Sequence, residues 1–170
     1  MTKMRYCELR FAGREFTVLF HIDFIRNLRN EISRASIKPG TLEPGGILLG
    51  RGNEGAAIIL GCAPQTSRDF VHDKDRSRKN LPPSVQTLHG QLEILGYYRV
   101  ASGANPTPKE RDLQLLRECL PESASLLLLI GRSQGGGNTG SLFVWEDDSR
   151  ERLLAGKTKL QIPNSVSTAP

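Results

Sequence analysis

The residue types best suited to metal or hydrolytic chemistry are scattered in this chain. Its three histidines, His21, His72 and His89, include no pair at i,i+2 or i,i+4 spacing, so no imidazole pair announces a zinc site. His21 falls in an apolar stretch and reads as structural, and His72 falls in a charged one. Cys7, Cys62 and Cys119 form no Cys-x-x-Cys motif. No serine sits in Gly-x-Ser-x-Gly, the strained turn that exposes a hydrolase nucleophile. Gly135-Gly-Gly137, close to Arg132, lacks the lysine and hydroxyl residue of a phosphate loop and reads as a hairpin turn. What remains is an ordered set of three segments: Glu43-Pro-Gly-Gly-Ile-Leu-Leu-Gly50, Leu95-Gly-Tyr-Tyr-Arg99 and Pro108-Lys-Glu-Arg-Asp112.

In order and spacing these segments resemble the MPN/JAMM (JAB-like) family of zinc isopeptidases, over roughly residues 15 to 147. In that family a glutamate begins a Gly-Leu-Leu-Gly-like strand, a Gly-Trp-Tyr-like strand runs into His-x-His-Pro, and Ser-x-x-Asp opens a helix. The resemblance implies a general base at Glu43 and a metal-binding aspartate at Asp112. The two histidine positions, however, hold Arg99 and Ala101, the following proline position holds Ser102, and the serine position holds Lys109. Tyr98 completes the set of residues lining the residual cleft. The implied picture is a degenerate member: Glu43 and Asp112 vestigial, no catalytic residue, no metal and no cofactor.

The chemistry of the replacements supports that picture. Zinc needs three or four N, S or O ligands, and a guanidinium is permanently protonated with no lone pair to give. Without the metal, a water keeps its pKa near about 15.7 and is a poor nucleophile at neutral pH. Two carboxylates left around a cleft with no cation would repel, so one must protonate or a positive group must fill the gap. The expectation is that Arg99 takes over the charge role of zinc and pairs with Glu43, Asp112 or both; the alternative is an Arg99 pointing to solvent.

The elements that must hold these residues can be read from periodicity and caps. Tyr6 to Phe16 gives one or two short strands turning at Gly13, and Thr17–His21 gives another. Asp23 is the expected cap of an amphipathic helix carrying Phe24, Ile25, Leu28 and Ile32. Gly45–Gly50 and Ala56–Gly61 read as a buried hairpin, Thr66–Pro83 as a long surface loop, and Ser84–Leu92 as a short helix. Ile94–Val100 is a strand ending at Arg99. Thr107-Pro-Lys-Glu110 has the form of a capping box for a helix with Leu113, Leu116 and Leu120 on its apolar face. Ser125–Ile130 is the most apolar strand, Ser141–Trp145 returns beside it, and Leu153–Ile162 adds a last strand. Tyr97 and Tyr98 alternate, so one should face the core and the other the cleft.

The fold class that follows is α/β in the α+β sense: a curved mixed sheet flanked by two main helices, which the family resemblance makes MPN/JAMM-like and cytidine-deaminase-like. At 170 residues a single domain is expected, spanning 1–164, with a frayed tail at 165–170. The charge balance, 23 Lys and Arg against 18 Asp and Glu, is spread along the chain, and aromatics are only 6%, so a nucleic-acid stripe is not expected. No apolar run reaches transmembrane length, and the sparse cysteines suit a reducing cytoplasm. The expected role is a pseudoenzyme that works by protein–protein contact, a homodimer being one arrangement that edge strands allow. Two other readings use the same cleft: a binder of, or zinc-independent enzyme acting on, an anionic small molecule held by Arg99, Lys109 and Arg111, or zinc hydrolysis with ligands drawn from His72 or His89.

Overall fold

The computed structural model describes residues 6–11, 13–34, 44–53, 55–64, 92–101, 103, 105–120, 124–132, 137–156 and 159–162. Glu43, Ser102, His72, His89, the Thr66–Pro83 loop, most of the Ser84–Leu92 helix and the 165–170 tail lie outside them.

Alternating apolar residues build the first hairpin. In β1 (Tyr6–Phe11), Leu9 and Phe11 are buried between exposed Glu8 and Arg10. The chain turns at Gly13, whose φ of +87° suits glycine. It then runs unbroken through β2 (Arg14–His21), so the two segments expected on either side of Thr17 are one strand. Helix α1 (Ile22–Arg34) starts two residues earlier than expected. Its cap is not Asp23 but His21, whose Nδ1 accepts the Asp23 N–H at 3.1 Å. Asp23 instead lies in the first turn, where a negative charge suits the helix dipole.

β3 (Gly45–Gly52) and β4 (Ala56–Pro64) form the expected hairpin, closed by Asn53 Oδ1 accepting the N–H groups of Gly55 and Ala56, each at 2.9 Å. β5 (Glu93–Val100) follows. The second helix, α2, covers only Glu110–Gln114 and passes into a π-helical turn at Leu115–Cys119. β6 (Leu126–Arg132) and β7 (Asn138–Trp145) are longer than their apolar runs suggest. The last expected strand is split into β8 (Leu153–Ala155) and β9 (Leu160–Ile162), both paired antiparallel to β7.

These nine strands form one sheet in the order β1-β2-β4-β3-β5-β6-β7-β8, with β9 also on β7. β2–β4 and β5–β6 are parallel and the other pairs antiparallel. An isolated bridge joins Phe11, at the end of β1, to Gly156, just past β8. The sheet therefore nearly closes on itself, and the mixed α+β class holds as a barrel-like sheet with two helices among the described residues. Among the described residues no helix is long and apolar enough to cross a membrane.

The two faces of the sheet bury two separate clusters. One joins Phe24, Ile25 and Leu28 of α1 to strand residues from β1 round to β9. The other joins Leu115, Leu116 and Leu120 to Ile47, Leu49, Tyr97, Leu127, Leu129 and Trp145. β3 is covered on both sides: its first six residues are all buried, which explains why it reads as a continuous apolar run rather than an alternation.

Candidate functional site

The site lies at the end of β5, where the strand hands the chain towards α2. The direction of each β5 side chain is set by a bulge. Opposite β3, Leu48 pairs with Gly96 but Leu49 pairs with Ile94, so Leu95 is an extra residue. Leu95 and Tyr98 consequently share the α1 face although three residues apart. Ile94 and Tyr97 share the α2 face. Gly96 permits this arrangement: a Cβ there would sit 1.9 Å from the Leu126 carbonyl oxygen on β6.

Arg99, two residues after Tyr97, projects to the α2 face and meets Asp112 there. Its Nε donates to Asp112 Oδ1 at 2.9 Å and its Nη2 to Oδ2 at 2.8 Å, a bidentate fork. Both side chains are only 3% exposed. Oδ2 also accepts the backbone N–H of Lys109 at 2.8 Å. Lys109 is extended (φ −105°, ψ 160°) and is the N-cap of α2, with Asp112 as the third helical residue reaching back to it. One carboxylate thus neutralises a buried cation and caps a helix.

That geometry corrects the expected start of α2. The Thr107-Pro-Lys-Glu110 box does not form; the helix opens two residues later, because Asp112 is fixed by Arg99 and draws the Lys109 amide to it. The expected pairing of Arg99 with Asp112 is present. Glu43 is not among the described residues, but the chain beside it is: the carbonyl of Pro44 accepts the Val100 N–H at 2.7 Å, and Gly45 pairs with Arg99 across the β3–β5 ladder. A side chain at Gly45 would meet the Tyr98 carbonyl oxygen at 2.6 Å and the Tyr97 hydroxyl at 2.7 Å. This is why the strand opens with glycine where it crosses the site.

The remaining expected cleft residues separate. Ala101 is buried, its N–H given to the Ile130 carbonyl at 2.8 Å. The Lys109 side chain and Arg111 are exposed. Tyr98, grouped with Arg99 by sequence, stands on the opposite face of the sheet: neighbouring strand residues alternate, and after the bulge Tyr97 takes the α2 face. Both tyrosines are buried, at 2% exposure, so neither side of the alternation leaves an open aromatic.

Tyr98 belongs to a different group that the sequence did not single out. With Glu31, Ile32, Pro44, Pro64 and Val100 it lines a cavity of about 230 Å³ on the α1 side. Its hydroxyl is hydrogen-bonded with the Cys62 thiol. Burial, then the charge of Glu31, pushes the Cys62 thiol up to about 12, with the Tyr98 hydrogen bond working in the other direction. Burial, the neighbouring thiol and Glu31 push the Tyr98 phenol upward too. Both groups are neutral at physiological pH, and Cys62 is an inert thiol rather than a nucleophile. No spacing of Glu31, Cys62 and Tyr98 marks this group in the sequence, since it assembles from a helix and two strands.

No family model and no curated protein matches the chain. Among solved structures it is similar to a solution structure of a protein from Salinibacter ruber, at 13% identity and a TM-score of 0.47, over 89% of this chain and 94% of that one. A likeness of that size bears on neither activity nor partner.

Proposed function

We propose that this chain is a catalytically inactive, metal-free domain of the MPN/JAMM type, serving as a protein-interaction or scaffold module. The observation that carries the reading is the commitment of Asp112. Both its oxygens accept hydrogen bonds from Arg99, and one accepts a third from Lys109. A zinc ion there would have to break a buried, bidentate ion pair to gain one oxygen ligand. Arg99 and Ala101, at the two positions where the family carries histidine, offer no lone pair. The residues at these positions do not fit zinc. The same commitment occupies two donor directions of Arg99, which disfavours an anion taken from solvent in this cleft.

Two measurements test the proposal. Protein purified without chelator should carry zinc at well below one equivalent, and should not cleave a lysine-linked isopeptide substrate. Arg99→His with Ala101→His should raise the zinc content towards one equivalent, because two imidazoles then join Asp112. In-cell cross-linking followed by gel filtration should place the wild-type chain in a complex with other protein. Stoichiometric zinc in the wild type with isopeptide cleavage lost in Asp112→Ala, or a chain that runs as a free monomer throughout, would overturn the reading.

A further inference from the structure

The first turn of α1 is held by a side chain that can change charge. His21 ends β2 at the N-cap of the helix, and its Nδ1 accepts the Asp23 N–H at 3.1 Å. The hydroxyl and amide caps that usually stand here accept at any pH near neutrality. An imidazole nitrogen accepts only while it carries no proton, so the capping ring is the tautomer with its proton on Nε2. The same Nδ1 lies 3.5 Å from Asp23 Oδ2. The other carboxylate oxygen, Oδ1, is 3.7 Å from Arg26 Nη1, so Oδ2 is the oxygen on the side of the imidazole. The His21 side chain is 22% exposed, which lets the ring exchange protons with solvent.

We propose that His21 is a proton-operated cap, which holds the first turn of α1 when neutral and releases it when a proton from solvent binds Nδ1. The proton sets the ring N–H against the Asp23 N–H, donor against donor, and the cap bond is lost. Asp23 Oδ2 then accepts the new N–H, so an ion pair replaces the cap and the backbone at Ile22 and Asp23 moves to let it close. The groups around the ring act in both directions. Asp23 favours the charged ring, while Arg26 and the positive end of the helix dipole oppose it. On β1, Tyr6 pairs with His21, and Glu8 and Arg10 follow on the same face, joined to each other at 2.6 Å. On β4, beside β2, the ionisable residue is Cys62, which stays neutral. The body of the helix does not follow the first turn. Phe24 stacks on Phe20 with ring centroids 5.9 Å apart, and Phe24 and Leu28 are fully buried. The release is therefore local to the start of α1. It does not depend on the protein-interaction reading.

The test is an NMR titration of the isotopically labelled full chain from about pH 8 to about pH 5.5, a range in which imidazoles change charge. At the upper end, the ring nitrogen shifts of His21 should show a bare Nδ1 and a protonated Nε2. As the pH falls, the Asp23 amide proton should move upfield with the same midpoint as the His21 ring. Its protection from exchange, corrected for the intrinsic effect of pH, should fall about fivefold, the size of a lost cap. The Leu28 amide, in the body of the helix, should stay unchanged. His21→Asn supplies an acceptor that does not titrate, so the amide of residue 23 should then keep its protection throughout, and the missing ring signals assign His21 among the three histidines. Should that variant fail to fold, the wild-type tautomer and the agreement of ring and amide midpoints decide alone. A proton on Nδ1 at pH 8, an Asp23 amide that ignores the His21 titration, or the same loss of protection in His21→Asn would overturn the proposal. Failure here leaves the Arg99–Asp112 reading intact, because the zinc content measured for that reading does not involve His21.

Discussion

Replacing Arg99 with methionine isolates the physical role of the buried ion pair. The substitution keeps an apolar stem of similar shape and removes the guanidinium. Asp112 then keeps the Lys109 N–H as partner while remaining, at 3% side-chain exposure, out of reach of water. Stranding one half of a buried pair costs about 3–5 kcal/mol, a large part of the ~5–15 kcal/mol that holds a domain together. With a urea m-value near ~2 kcal/mol/M, the midpoint should fall by about 1.5–2.5 M. The single tryptophan, Trp145, is 2% exposed in the cluster beneath α2 and reports the transition by fluorescence. Arg99→Met with Asp112→Leu removes both charges, so its loss should shrink to the cap alone, about 1 kcal/mol. The coupling between the sites should therefore be at least about 2 kcal/mol. Should the single variant fail to fold, Arg99→Lys, which keeps the charge without the fork, should fold with an intermediate midpoint. A single-variant shift below ~0.5 M, or a double variant no more stable than the single, would refute the reasoning.

Three further outcomes follow from other parts of the molecule. Cys62, ordinarily at 9.0 and here pushed up to about 12, holds its proton in the folded state where the unfolded chain releases it. Stability should be fully present below pH ~9 and fall as the pH rises towards ~12, more gently in Cys62→Ala, as followed by urea titrations at each pH. At pH 8, iodoacetamide should label exposed Cys7 faster than Cys62, as read by mass spectrometry of digested protein. Gly96→Ala drives a methyl into the Leu126 carbonyl at 1.9 Å, so it should cost several kcal/mol and lower the melting temperature by roughly 10 °C or more; a native-like melt would remove the bulge argument.

What could be read from the residues depended on how local the cause was. Ile47–Leu49 and Leu126–Ile130 announce buried strands because a sheet covered on both faces needs apolar residues at every position. The two helices announce themselves through the spacing of Phe24, Leu28 and Ile32 and of Leu113, Leu116 and Leu120. The π-helical turn does not, because Leu116 and Leu120 fit an ordinary helix equally well. Thr107-Pro-Lys-Glu110 and Lys109-Glu-Arg-Asp112 are both plausible openings for α2, and a contact with a distant strand decides between them. The side of the sheet taken by Tyr98 is set by Leu95 standing out of register with β3, and one extra residue reverses which face each later side chain takes. The Glu31–Cys62–Tyr98 group was invisible for the same reason: each member is ordinary where it stands, and only the folded sheet assembles them.

The contact between Phe11 and Gly156 has a consequence for how the molecule is made. β1 is among the first described segments to leave a ribosome, and its outer edge meets its partner only after nearly all the other strands have been synthesised. Loop closure over such a span is slow, and an unpaired edge is a template for wrong partners in the meantime. The charged residues Glu8 and Arg10, alternating on that strand and joined to each other at 2.6 Å, give the waiting edge a guard until the last strands arrive.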